Sequence, residues 1–257
     1  MAWKEELLVN KRQITNALHI AAITALAIVT SGCASTQYLS DDRDPWQGYN
    51  RGVYAFNDSL DKAILKPAAQ GYQFIAPDFV ETGVRNFFEN IDDVSVAVNN
   101  LLQGKVSNSA SDVGRILINS TIGVLGLFDV ASSFGLRKHD EDFGQTLAVW
   151  GADAGPYIVW PFFGPSTLRD SPSIIVDDIL LDPLTYVELN LGERIAIIAL
   201  DVVSVRAELL SLEETVNEIS TDQYAFIRDA YLDRREFLIH DGAPPVDLEI
   251  FDELDDE

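Results

Sequence analysis

The chain has 257 residues and a formal charge of −23, from 41 acidic and 18 basic side chains. So acidic a balance argues against nucleic-acid partners, whose binding rests on Lys and Arg neutralising phosphates, and against a polybasic patch on anionic lipid. Yet 47% of the residues are hydrophobic, so acidic faces must stand beside large apolar surfaces, and a lone cysteine leaves the fold without an internal disulfide.

The first forty residues carry an address. Lys4, Lys11 and Arg12 precede an apolar run from Ile14 to Val29, which ends at Thr30-Ser31-Gly32-Cys33. A basic start, an apolar centre and small residues are the parts of a bacterial secretory signal. Small residues directly ahead of a cysteine fit a lipoprotein peptidase. Residues 1–32 are then a signal peptide, Cys33 the lipid-attachment site, and residues 33–43 a lipidated tether. Thr30 stands where an aliphatic residue is usual. Ala34, rather than Asp, follows the cysteine and sorts the protein to the outer membrane. The competing reading is an ordinary signal or membrane helix with a buried cysteine. A spanning helix needs about 20 predominantly apolar residues, and Asn16, His19 and Thr24 interrupt this run. The expectation is an anchored protein, since several acyl chains hold where one binds only marginally.

The mature chain reads as all-α. Asp44-Pro45 looks like an N-cap with a first-turn proline. Trp46, Tyr49, Val53, Phe56, Leu60 and Ile64 follow at helical spacing, and Lys66-Pro67 predicts a stop. Pro77-Asp78 starts a second helix, Asp92-Asp93 a third, and Gly104 closes it. From Val113 to Leu136 the chain is apolar, with charges only at Arg115 and Asp129 and glycines at 114, 123, 126 and 135. This predicts a bent helical hairpin, buried either in protein or at a lipid interface. Asp142 can cap a short helix through Gln145. Residues 155–165 run extended, because proline excludes helix there, and Ser166 can cap the next helical piece. Leu191, Ile195, Ile198, Val202, Val205, Leu209, Leu212, Val216 and Ile219 alternate four and three. They predict one long helix enclosed over its first half, or a two-stranded coiled coil. Ser220 or Thr221 caps a last helix, with Tyr224, Ile227, Tyr231 and Leu238 inward and Arg228, Arg234 and Arg235 wet or ion-paired. Gly242 ends it, and residues 241–257 form an acidic tail expected to be disordered.

A catalytic constellation is hard to find. There is no nucleophile elbow, phosphate loop or dinucleotide fingerprint. Ser132 or Ser133 with His139 and Asp142 could be assembled into a hydrolase, though nothing in their spacing demands it. His139 beside Asp140, Glu141 and Asp142 could bind a divalent cation, but a solvated loop explains it better. No cofactor and no metal site are expected, and the protein reads as a non-enzyme.

Seven short stretches, in order, carry a resemblance: 44–51 (DPWQGYNR), 84–90 (VRNFFEN), 98–104 (VNNLLQG), 115–123 (RILINSTIG), 143–147 (FGQTL), 155–157 (GPY) and 168–170 (LRD). Behind the lipobox, the chain over residues 44–240 resembles the MlaA (VacJ) outer-membrane lipoproteins. Gln47 departs from that pattern at its acidic position, and Leu125 lies where members often have a further glycine. The resemblance implies a single ring-like domain of helices in the periplasmic leaflet of the outer membrane. Its central amphipathic channel would pass phospholipid from the outer leaflet to a soluble periplasmic carrier, beside a trimeric porin, to keep the two leaflets asymmetric. Arg115, Asn119, Gly123 and Gly126 are the candidate lipid-path or hairpin residues, Arg115 meeting either a lipid phosphate or a carboxylate. An envelope-tethering lipoprotein and a periplasmic phospholipid hydrolase are the alternatives.

Overall fold

The computed structural model describes residues 41–213 and 220–245. The signal peptide, Cys33, most of the tether, Val216, Ile219 and most of the acidic tail lie outside the described residues. The described chain is helical apart from one small hairpin.

Helix α1 (Gln47–Leu60) begins later than the sequence predicts. Asp44 is not its cap. It is buried, accepting from Asn50 Nδ2 at 2.7 Å and from the Tyr224 hydroxyl at 2.5 Å. Nor does Lys66-Pro67 stop the helix. A π-helical turn (Asp61–Leu65) carries α1 into α2 (Lys66–Ile75), and Pro67 sits directly after that turn, at the start of α2. The two predicted helices on either side of Asp92-Asp93 are one, α3 (Asp78–Leu102). The acidic pair starts nothing, because Asp93 points into the protein and is ion-paired there. Gly104, at φ +80°, turns the chain into α4 (Val106–Thr121), which packs along α3.

The short helices α5 (Val130–Ser133) and α6 (Phe143–Val149) come next, and Asp142 caps α6 by accepting from Gln145 N at 2.9 Å, as expected. The extended segment is strand β1 (Tyr157–Trp160), paired antiparallel with β2 (Gly164–Thr167), Tyr157 opposite Thr167. Ser166 therefore lies in a strand and caps no helix. After α7 (Ser173–Ile175), a π-helical turn (Val176–Leu181) and a 3₁₀ turn (Pro183–Tyr186) lead to α8 (Leu191–Glu208), closed at its start by an Asn190–Glu193 capping box. The long predicted helix is interrupted by a turn at Leu209. Its first half is not enclosed either, since Leu191, Ile195 and Ile198 are all more than half exposed. Asp222, not Ser220 or Thr221, caps α9 (Gln223–Ile239), whose Arg228 and Arg235 are buried.

Packing partners form a closed circuit. α1 touches β1, β2 touches α9, α9 touches α6, α6 touches α3, α3 touches α8, and α8 touches α2, which continues back into α1. This is the ring-like, mostly helical architecture. Among the described residues, a compact apolar cluster sits where α1, β1 and α9 meet, around Val53, Tyr157, Val159 and Tyr224. Elsewhere the usual distribution is inverted: many buried side chains are Asn, Asp, Ser or Arg, while large apolar residues crowd the surface. Among the described residues, no helix is long and apolar enough to cross a membrane.

Candidate lipid-facing hairpin and its polar brace

Helices α3 and α4 meet through a ladder of polar rungs. Asn90 Nδ2 donates to Ser120 Oγ at 3.0 Å, Arg115 Nε to Asp93 Oδ2 at 3.2 Å, Ser109 Oγ to the Ala97 carbonyl at 2.8 Å, and Asn100 Nδ2 to Asp112 Oδ2 at 2.8 Å. From Asn90–Ser120 through Asp93–Arg115 to Ala97–Ser109 the numbers rise along α3 as they fall along α4, so the helices run antiparallel. Positions 112, 115 and 119 recur at helical spacing, which puts this polar stripe on one face of α4 and leaves Val113 and Leu117 exposed on another. Buried polar groups are tolerable only when partnered, and the rungs supply the partners.

Arg115 is the hub. Only 2% exposed, it also donates from Nη1 to the Leu136 carbonyl at 2.8 Å and to Ser132 Oγ at 3.1 Å, and its Nη2 lies 3.4 Å from Asp129 Oδ2. Lys138 Nζ reaches the other oxygen of Asp93 at 2.9 Å. Of the two partners open to Arg115 from sequence, carboxylates occupy it, and its fork matches them well. Burial raises the pKa of Asp129. Hydrogen bonds from Ser132 and Asn119 and the charge of Arg115 outweigh that, holding the carboxyl below its ordinary value. At Asp112 the balance is opposite: burial dominates over the bonds from His139 and Asn100, and the pKa is raised.

Asn119 fixes the return of the chain. Its Nδ2 donates to Asp129 Oδ1 at 3.1 Å, and its Oδ1 accepts from Ala131 N at 2.9 Å. Between these anchors, residues 122–128 fold into a tight turn. A Cβ on Gly123 would lie 2.2 Å from the Phe128 carbonyl oxygen and 2.5 Å from that of Asn119, so no other residue fits. Gly126, at φ +90°, abuts Asn90. Val124 and Leu125 are also left-handed, at φ 55° and 59°, a costly conformation for a β-branched valine. What this strain achieves is exposure: Ile122, Val124, Leu125 and Phe128 all project outward, Leu125 at 68%. A strained turn thus presents apolar side chains over a charged brace.

The four candidate residues from sequence are therefore brought together here, with Arg115 and Asn119 beneath the turn and Gly123 and Gly126 within it. Sequence reasoning missed Asp93, Asp129 and Lys138 as their partners. The available signal was the spacing of Asp93 and Asn100 on α3 against Arg115 and Asp112 on α4. The hydrolase set does not converge. Ser132 Oγ donates to Asp129 at 2.5 Å, His139 Nδ1 lies 2.6 Å from Asp112, and Asp142 is held by Arg235 and Gln145. Among the described residues no group of His, Cys, Asp and Glu is placed to hold a metal ion.

The family model described as MlaA lipoprotein matches residues 42–238. The chain belongs to the MlaA lipoprotein family. The chain is similar to a Rickettsia felis protein, 39% identical over 193 residues, 75% of this chain and 76% of the relative. It is also similar to the Escherichia coli (strain K12) intermembrane phospholipid transport system lipoprotein MlaA, 33% identical over 230 residues, 86% of this chain and 89% of the relative. A solved structure, from work on the structural basis for maintenance of bacterial outer membrane lipid asymmetry, superposes with a TM-score of 0.66 at 30% identity, covering 76% of this chain and 98% of that one. The MlaA match spans the hairpin, the brace and the capping residues Asp142 and Asp222.

Proposed function

We propose that this MlaA-family protein takes mislocalised phospholipid from the outer leaflet of the outer membrane and passes it to a periplasmic carrier. The observation that carries the reading is the inverted ring: apolar side chains outside, polar rungs inside, and a braced apolar turn at Val124–Phe128. Such a surface belongs in acyl chains. Large apolar side chains exposed in such number point to a membrane or partner surface, and in this reading the ring, with no helix able to cross among the described residues, lies within one leaflet. A phospholipid moving through protein needs apolar walls for its tails and polar groups for its head, since an unpartnered charge in hydrocarbon is costly. In this reading, Arg115 and Asn119 hold the hairpin in place and Gly123 and Gly126 let it turn; the lipid passes beside it.

Acylated Cys33 sets the depth from the periplasmic side, a soluble carrier receives the lipid, and a trimeric porin flanks the ring. The conduit carries out no chemical step. The test measures outer-leaflet phospholipid in cells lacking the protein. Accumulation, reversed by the wild type and not by Cys33→Ala, is the expected result; unchanged outer-leaflet lipid would refute the transport reading and favour an envelope tether. Full complementation by Ser132→Ala with Ser133→Ala is expected. A loss of orders of magnitude with folding intact would instead indicate a nucleophile.

A further inference from the structure

Away from the hairpin, α2, α3 and α8 meet around a cleft of about 130 Å³, walled by Tyr72, Asp78, Glu81, Arg85, Ser204 and Glu208. Small residues make the meeting close. Ser204 and Ala207 are buried on α8, and Gln73 Nε2 donates to the Ala207 carbonyl at 3.0 Å, tying α2 to α8.

Three features of the wall are unspent. The Tyr72 hydroxyl oxygen is buried without a hydrogen-bond partner, an arrangement rare in folded proteins. Burial, then the charges of Glu81 and Glu208, push its pKa up, so it remains a neutral donor. No ion pair engages Asp78 or Glu81 among the described residues. Arg85, by contrast, lies 3.4 Å from Glu208 and 3.7 Å from Glu89. Three carboxylates thus share the cleft with one guanidinium. Directly beside it, the corner between α2 and α3 presents Phe74, Ile75 and Phe79, exposed at 91%, 80% and 77%.

We propose that this cleft receives the headgroup of a zwitterionic aminophospholipid, its ammonium between Asp78 and Glu81 and its phosphate at Arg85. The acyl chains then run over Phe74, Ile75 and Phe79, and the Tyr72 hydroxyl gains the acceptor it lacks. An anionic headgroup meets surplus negative charge, and a metal ion meets Arg85 in the wall. The proposal rests on the transport reading for the presence of phospholipid, and deepens it by naming the headgroup class.

The test is calorimetric titration of the purified full chain in detergent with dihexanoyl phosphatidylethanolamine and dihexanoyl phosphatidylglycerol. The first should bind about tenfold more tightly, the scale of one charge-assisted hydrogen bond. Asp78→Asn with Glu81→Gln should abolish that preference, and Arg85→Gln should weaken both lipids. Tyr72→Phe should weaken the ethanolamine lipid several-fold at an unchanged melting midpoint. Equal affinity of the wild type for both lipids, or a preference that survives the double variant, overturns the proposal. So does equally tight binding of glycerophosphoethanolamine, which lacks acyl chains and would reduce the site to one for a soluble phosphate ester. None of these outcomes depends on the cellular lipid measurement, so the cleft can fail while transport stands, and the reverse.

Discussion

Arg115→Met would remove the hub of the brace while keeping most of its volume. Four acceptors lose a donor or counter-charge: Asp93, Asp129, Ser132 Oγ and the Leu136 carbonyl. Asp129, with its side chain 29% exposed, can turn to water, but Asp93 is fully buried and keeps only Lys138. Breaking one partner of a buried pair typically costs about 3–5 kcal/mol. The surviving Lys138 contact at 2.9 Å argues for the lower end, so about 3 kcal/mol is expected. For a domain of this size each kcal/mol moves the melting midpoint by about 2–4 °C, giving a fall of about 6–12 °C for protein unfolded in detergent. Arg115→Lys should recover only part of this, because one ammonium cannot reproduce the fork to Asp93 and Asp129. A loss below about 1 kcal/mol would refute the brace as the reason for Arg115. If transport were then abolished at an unchanged midpoint, Arg115 would be meeting a lipid phosphate.

Gly123→Ala should destabilise the turn by several kcal/mol, since its Cβ meets backbone at 2.2 Å. Gly135→Ala, at φ +83° in open space, should cost only about 1 kcal/mol, and chemical denaturation of the two variants checks the contrast. Val124→Asp should leave the midpoint unchanged or raise it slightly, because Asp tolerates a left-handed backbone better than valine, while reducing membrane association and transport in fractionation and lipid-turnover assays. Asp112 and Asp177 are buried, and burial holds both above the ordinary carboxylate value, against the bonds from His139 and Asn100 at the first and from Phe143 N and Asn99 at the second. At these sites the folded chain therefore binds more protons than the unfolded one above about pH 4. Their contribution is full below that pH and is lost as pH rises through the raised values, so the melting midpoint should fall from about pH 4 upward, and Asp177→Asn should flatten that slope.

Helices were legible wherever local chemistry acts alone. Asp142 caps α6 and Gly242 terminates the last turn after α9, because capping and left-handed backbone depend on a few neighbouring atoms. Failures cluster where a polar residue works at long range. Asp44 and Asp93 both read as capping groups, yet each is buried against partners distant in sequence. No local rule distinguishes an Asp that opens a helix from one that pairs with an Arg twenty-two positions later. The π turn ahead of Pro67 was hidden for a similar reason: it is a register shift within a continuous helix, and composition carries no mark of it.

The most instructive difference concerns α8. Its apolar residues recur at coiled-coil spacing, and in water that pattern demands a protein partner or burial. Within this chain that face is not buried: Leu191, Ile195, Ile198, Val202 and Val205 face outward. Periodicity reports which face avoids water, and says nothing about what the face meets instead. The same holds for the hairpin, where sequence left core and lipid interface open. The two faces of α4 differ: the polar side chains at 112, 115 and 119 are turned inward to partners on α3 or in the hairpin return, and Val106, Val113 and Leu117 are left outside. A protein folding in water would gain by the opposite arrangement. An inward polar ladder gains little with its outer surface in water, because interior rungs contribute little net free energy while exposed apolar area forgoes roughly 25 cal/mol for each Å² left in water. Lipid against that surface, as the transport reading proposes, removes the penalty.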